Sequence, residues 1–171
     1  MNLLNEVFAE IAKAPPQVIE TILAAGKKIE LVLGALTSHP SWKHLRGVRP
    51  RGWSEGKTWD DVPGGGGPST IIAVDKLFQG HGSKNIILHE HAHTYERALE
   101  KLDGMLLRRD DTVFLDIWRR TSWLSNYQQQ YPEEAFAESF ANYFDSIESR
   151  RKLASDYPEV AHWFSNRFPG L

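Results

Sequence analysis

Apolar positions recur at helical spacing along most of the chain and take on strand character in only two short stretches. Leu4, Val7, Phe8 and Ile11 are spaced to share one face of a helix over residues 3–13. Pro15-Pro16 ends that segment and opens a second helix, with Val18, Ile19, Ile22 and Leu23 turned inward and Gly26 closing it. Lys28 to Leu33 alternates and is partly β-branched, which predicts a strand. Ser38 to Leu45 predicts a short helix with Ser38 or Ser41 as its cap. Thr70 to Val74 predicts a second strand, at a sheet edge. Four further helices are expected over residues 84–102, 110–122, 132–147 and 156–168, with Asp103-Gly104 breaking the first from the second. Leu124 to Tyr131 reads as a polar loop. Pro132-Glu133-Glu134 is a strong helix opening: proline suits the first turn, and acids suit the positive end of the helix dipole.

Residues 46–69 break this pattern. Glycine and proline recur there, with Trp53 and Trp59 between them. A loop of that length in a compact domain is usually functional or disordered, and two tryptophans argue against simple disorder. Pro63-Gly64-Gly65-Gly66-Gly67-Pro68 is expected to be its most flexible piece. No Gly-Lys-Ser/Thr follows that run, which removes the phosphate-loop reading.

At 171 residues the chain is long enough for one domain with a real core, and no repeat, heptad seam or second domain interrupts it. A net charge of -2 argues against a nucleic-acid partner, since no basic stripe dominates. No apolar run approaches the roughly 20 residues of a membrane span. The absence of cysteine excludes disulfides, thiolate nucleophiles and thiolate zinc sites. Met1-Asn2-Leu3-Leu4-Asn5-Glu6 lacks the basic and long apolar regions of a signal peptide, so the chain is read either as cytoplasmic or as a mature form carrying an added Met1.

Against this background His89-Glu90-His91-Ala92-His93 is the informative stretch. It fits H-E-x-x-H, the helical zinc motif of metalloproteases, and helix-compatible residues flank it. Residues four apart lie on one helical face, so His89 and His93 offer two imidazole nitrogens to one ion. Glu90 sits roughly 100° round the helix, where a general base for the attacking water stands. The bland alternative is an amphipathic helix with solvated histidines; His91, turned away from the metal, is expected to be solvated in either case. A catalytic zinc needs a third protein ligand and an open position. The remaining histidines (39, 44, 81 and 162) and carboxylates on a later helix are candidates. Glu134 and Glu138 are the best of these. They lie four apart beside an apolar stripe of Ala137, Phe140, Ala141 and Phe144, where unpaired acids are costly.

The segment Tyr131-Pro132-Glu133-Glu134-Ala135-Phe136-Ala137-Glu138-Ser139-Phe140-Ala141-Asn142-Tyr143 resembles the second zinc helix of the bacterial Pro-Pro endopeptidases. These are secreted zinc proteases related to the catalytic domain of anthrax lethal factor. Gly52-Trp53, Thr58-Trp59-Asp60-Asp61-Val62-Pro63-Gly64 and Gly80-His81-Gly82-Ser83 follow the same pattern in order, so the resemblance covers about residues 35–168. It implies an α+β fold: a helix-rich, zincin-like single domain over residues 1–171, with a small β-sheet or hairpin and an active-site helix.

The resemblance also implies roles. His89, His93 and Glu134 would bind one zinc ion (Zn2+), and Glu90 would be the general base. Tyr127, seven residues before Glu134, would donate to the oxyanion. Glu138 would orient a ligand histidine. Trp53 and His81 match residues near the substrate cleft, and Arg51 and Glu133 would pair across its mouth. The implied protein is a secreted monomer acting on proline-rich peptide or protein segments. Ala135 departs from the pattern, standing where an aromatic is common, and the glycine run of 64–67 is plainer than its counterpart. Sequence preference around the scissile bond is therefore expected to differ. A lethal-factor-like protease with another proline-containing target and a non-catalytic zinc-binding module are the competing expectations.

Overall fold

The computed structural model describes residues 3–53, 55–77 and 82–170. Two short helices lead: α1 (Leu3–Ile11) and α2 (Pro16–Ala24). Gly26, at φ +67°, turns the chain out of α2 into β1 (Ile29–Val32). Two 3-10 turns follow (Leu36–Ser38 and Pro40–Leu45), then a third at Trp59–Asp61. The chain continues through β2 (Gly64–Gly65) and β3 (Thr70–Ala73). The rest is helical: α3 (Ile86–Asp103), α4 (Leu107–Asp110), α5 (Thr112–Arg120), α6 (Asn126–Gln130), α7 (Pro132–Asp145), α8 (Ile147–Asp156) and α9 (Pro158–Arg167). This is the helix-rich α+β architecture with a small sheet that the sequence predicts. Among the described residues no helix is long and apolar enough to cross a membrane.

The sheet order is β1-β3-β2, with β1 parallel and β2 antiparallel to β3. β3 is thus the central strand and not an edge. The reason lies in its side chains. Ile72 packs with Val7, Val74, Ile86 and Ile87 on one face, while Ile71 packs with Leu36, Trp42 and Val62 on the other. A strand buried on both faces reads as a continuous apolar run.

Helix α3 is the spine. Asn85 caps its start by accepting from the Leu88 N–H, and Gly104, at φ +72°, ends it. One face of α3 carries Leu88, Ala92, Tyr95, Ala98 and Leu99 into the main core. α7 meets it there with Phe136, Phe140 and Phe144, and α9 adds Phe164, with Phe168 just beyond it. These rings pack on one another, with centroids 4.6 Å apart for Phe140–Phe144 and 5.2 Å for Phe144–Phe168. Each fully buried phenyl group contributes about 2–3 kcal/mol by area alone.

Several local expectations are corrected. Phe8 and Leu4 are exposed, and α1 instead buries Val7 with Leu3 and Ile11 partly covered. Leu23 is exposed, because α2 presents Val18 and Ile22 to the core. The second 3-10 turn is capped by His39, whose ring accepts from the Ser41 N–H, and not by Ser38 or Ser41. The helix expected over residues 110–122 is divided by Asp111, whose carboxylate caps α5 through the Phe114 N–H. Residues 126–130 form α6 where a loop is expected. α8 separates α7 from the last helix, started by Ser146 and Ser149 capping each other.

Candidate active site

α3 and α7 cross so that their polar faces meet at the floor of a cleft of about 880 Å³. His89 and His93, one helical turn apart on α3, bring their Nε2 atoms to 3.2 Å. Glu134, in the first turn of α7, places Oε2 at 3.3 Å from the His89 Nε2 and 3.7 Å from the His93 Nε2. Nitrogen and oxygen ligands bound tetrahedrally at 2.0–2.1 Å stand about 3.3 Å apart. The three donors therefore already sit near the spacing of one tetrahedral ion, and all are neutral-nitrogen or carboxylate donors suited to zinc. Among the described residues this is the one His/Asp/Glu grouping of three that would hold a metal.

Behind them, Glu138 stands one turn further along α7. Its Oε2 lies 3.3 Å from the His89 Nδ1, and its Oε1 accepts from the Lys84 N–H and the Asn142 side-chain amide, each at 3.0 Å. A carboxylate so held fixes the His89 ring orientation and leaves Nε2 for the cleft. Burial alone would lower the His89 pKa. The adjoining Glu134 and Glu138 carboxylates overcome that and push it up to about 10. Burial by itself would raise the Glu134 and Glu138 carboxyls, but their contacts with the histidines hold both below the usual range.

Glu90 is buried beside this group. Burial pushes its pKa up, against the pull of His89 and His93. The Gly66 N–H donates to its carboxylate. The glycine run makes that contact sterically possible. A Cβ at Gly65 would collide with the Trp42 ring. One at Gly66 would collide with the Glu90 carbonyl oxygen and lie 2.9 Å from the His93 Cβ. One at Gly64 would stand 3.1 Å from the Glu90 Cγ. Thr94 on α3 completes the anchoring by accepting from the Gly67 N–H at 3.1 Å and from the Thr70 hydroxyl at 2.9 Å. The glycine segment, expected to be the most flexible piece of the loop, is thus corrected: it is pressed directly on α3.

Tyr127, on α6, points its hydroxyl at the Glu134 Oε1, 3.3 Å away. Burial and the Glu134 charge raise its pKa, against Arg51, so the phenol keeps its proton at neutral pH. Arg51 reaches in from the long loop. It pairs with Glu133 at 3.1 Å and stacks on the Tyr131 ring at 3.7 Å. Gly52, at φ +80°, lets the loop backbone lie on the Tyr127 ring. Trp53 is half-buried, packing on the Trp42 and Val62 cluster while lining the cleft.

The structure therefore gathers His89, Glu90, His93, Tyr127, Glu133, Glu134, Glu138, Arg51 and Trp53 around one cleft. His81 lies outside the described residues. His91 is corrected: it is fully buried, with its Nδ1 2.8 Å from the Ile87 carbonyl oxygen, and burial lowers its pKa to about 4. α3 is covered on more than one side, so the face turned from the cleft meets core, not water. Gly66, Thr94 and Asn142 also hold the site, and sequence reasoning does not single them out. The glycine run signalled the first, and a threonine inside a helix signalled the second.

The residues 2–167 match the family model described as anthrax toxin lethal factor, N- and C-terminal domain. The chain is 33% identical to the Pro-Pro endopeptidase of Clostridioides difficile (strain 630) over 168 residues, spanning 96% of this chain and 76% of the relative. It is 31% identical to the Pro-Pro endopeptidase of Paenibacillus alvei, spanning 92% and 74% respectively. The solved structure of the Pro-Pro endopeptidase from Paenibacillus alvei superposes with a TM-score of 0.83 at 29% identity, covering 97% of this chain and 91% of that one. The chain belongs to the anthrax toxin lethal factor family and, within it, to the Pro-Pro endopeptidases.

Proposed function

We propose that this chain is a zinc-dependent endopeptidase that hydrolyses the bond between two consecutive prolines in a proline-rich segment. The observation that carries the reading is the joint placement of three metal donors, a buried carboxylate and a protonated tyrosine around one cleft. His89, His93 and Glu134 would hold the ion. Zinc, when bound, supplies Lewis acidity that polarises the scissile carbonyl and makes water more acidic.

Glu90 takes the proton of the attacking water and delivers it to the leaving proline nitrogen, a secondary amine. Burial raises the Glu90 pKa, the direction that helps this carboxylate hold the proton between the two transfers. Tyr127 donates its O–H to the oxyanion that forms as the carbonyl is attacked. Losing one such donor typically costs about 10²- to 10³-fold in rate. Glu138 keeps the His89 ring fixed throughout. Proline on both sides of the bond imposes an extended substrate that is already ordered and lacks amide donors. Recognition must then rest on shape and apolar contact, and Trp53 offers a flat wall. Secretion belongs to the same reading; finding the protein in the growth medium rather than inside cells supports it, and the reverse removes it.

The test is a quenched peptide library with a fixed central Pro-Pro, read by mass spectrometry with and without a chelator. Cuts between the prolines that disappear with the chelator and return with zinc are expected. No cut anywhere in a zinc-loaded sample would leave a non-catalytic zinc-binding module.

A further inference from the structure

The chain carries net charge -2, yet one end of the cleft is basic. Arg97 and Arg108 both line it, beside Gly67 and Pro68. The Arg97 Cγ lies 4.0 Å from where a side chain would begin at Gly67. Lys27 sits on the same segment, donating to the Gly67 and Pro68 carbonyl oxygens at 3.0 and 3.2 Å.

These cations are unequally matched. Arg97 pairs with Glu100 at 2.6 Å, and Arg109 pairs with Asp110 at 2.7 Å and lies 3.8 Å from Glu100. Arg108 forms no ion pair among the described residues, although its backbone is fixed. Its N–H donates to the buried Glu96 at 3.0 Å, while Leu107 beside it is fully buried. Glu96 and Glu100 feel its charge without closing an ion pair on it, so a half-buried Arg108 that lines the cleft from a fixed backbone can receive a substrate carboxylate.

We infer that Arg108, supported by Arg97, is a specificity-determining residue that selects an acidic side chain in the substrate flanking the proline pair. The inference rests on the proposed peptidase reading and adds to it the chemical class of a neighbouring substrate residue. Gly66 and Gly67 line the cleft beside these arginines and put no side chains of their own in the way. A guanidinium there supplies the bidentate charge contact that two prolines cannot.

The test uses peptides with a central Pro-Pro in which each flanking position carries Asp, Glu, Ala or Lys in turn. The expected result is one flanking position where Asp or Glu raises kcat/KM about five- to tenfold over Ala and Lys lowers it, an effect that shrinks at high salt. Arg108→Gln should bring the acid-to-alanine ratio toward one. Arg108→Glu should turn the preference toward Lys. Arg97→Gln, chemically milder and on the stable spine, should reduce the same ratio. Amidated and free C-termini separate an acidic side chain from a terminal carboxylate; a preference that follows only the free terminus overturns the inference. So does an acid preference that survives both Arg108 variants, or no acid preference at any position. Failure to cut any Pro-Pro peptide would instead defeat the peptidase reading itself.

Discussion

The aromatic core under the cleft and the glycine–tryptophan loop above it hold their functional groups by opposite means. Below, α3 and α7 are locked by Phe136, Phe140, Phe144 and Phe164, and they offer His89, His93, Glu134 and Glu138 on facing helical turns. Above, little regular structure exists between β1 and β3. Asp60 organises that half: it accepts from Thr37, from the Gly47 N–H at 2.8 Å and from Thr58 at 3.2 Å, while Lys76 takes its carbonyl. Trp42 meets Trp59 edge-on with centroids 5.0 Å apart. The lower half fixes positions by close packing. The upper half fixes them by hydrogen bonds and by having no side chains where the backbone must touch α3.

The contrast predicts where damage stays local. Glu90→Gln belongs to the lower half but takes no part in its packing. It should cut kcat by at least about 10³-fold while zinc stoichiometry and melting temperature hold. Turnover within tenfold of the parent would remove Glu90 from the base role. Phe140→Ala strikes the packing itself and should cost about 3–5 kcal/mol in urea unfolding. A loss below about 1 kcal/mol would mean that the rings are not the lower half's main support.

Gly66→Ala tests the contact between the two halves. Its methyl group meets the Glu90 carbonyl and the His93 Cβ. Turnover should fall about 10²-fold at a cost of about 1–3 kcal/mol in stability, because the methyl group meets backbone. Equal activity in the variant would show that the loop does not press on the site in solution. Tyr127→Phe, at the seam, should lower kcat by about 10²-fold and leave KM nearly unchanged; a pure rise in KM would contradict an oxyanion donor.

The smallest effect is a pH signature of the lower half without metal. The His89 pKa, raised from 6.5 to about 10, contributes stability that is complete below 6.5 and lost as pH climbs toward 10. Glu134 and Glu138, held below their usual 4.5, contribute stability present above 4.5 and lost as pH falls. The melting temperature of the metal-free protein should therefore peak between these limits, and zinc should remove the alkaline fall by taking the proton's place on His89. A flat profile would contradict the ion cluster.

What was legible in the sequence divides along the same line. α3 and α7 announce themselves through apolar spacing, Pro132 and the paired motif residues, so the grouping of His89, His93, Glu134 and Glu138 is legible there. The site's polar helix did not show. α6 is only five residues, Asn126–Gln130, with no apolar stripe to mark it. α8 buries little beyond Leu153, so periodicity had nothing to register. His91 departs from the solvated expectation because polarity implies exposure only on an open helical face, and α3 is covered on several. β2 is two glycines, a strand made by the Ile71 and Ile72 pairing and invisible to any residue preference. Arg108 lies in a stretch whose only signal is charge, and charge does not say which cation faces the cleft without a close ion pair.

The glycine run also sets where this protein can change. A side chain at Gly65 or Gly66 would collide with the Trp42 ring or the Glu90 carbonyl, and one at Gly64 would press on Glu90, Ile72 and Ile86, so these three positions leave little room for another residue. Selection for a new cleavage preference has to work at the rim instead, at Pro68, Arg97 and Arg108, where a substitution alters what the cleft greets without disturbing the chemistry beneath. A mutational library spent on those positions, with the glycines left alone, samples new appetites in an enzyme that still works.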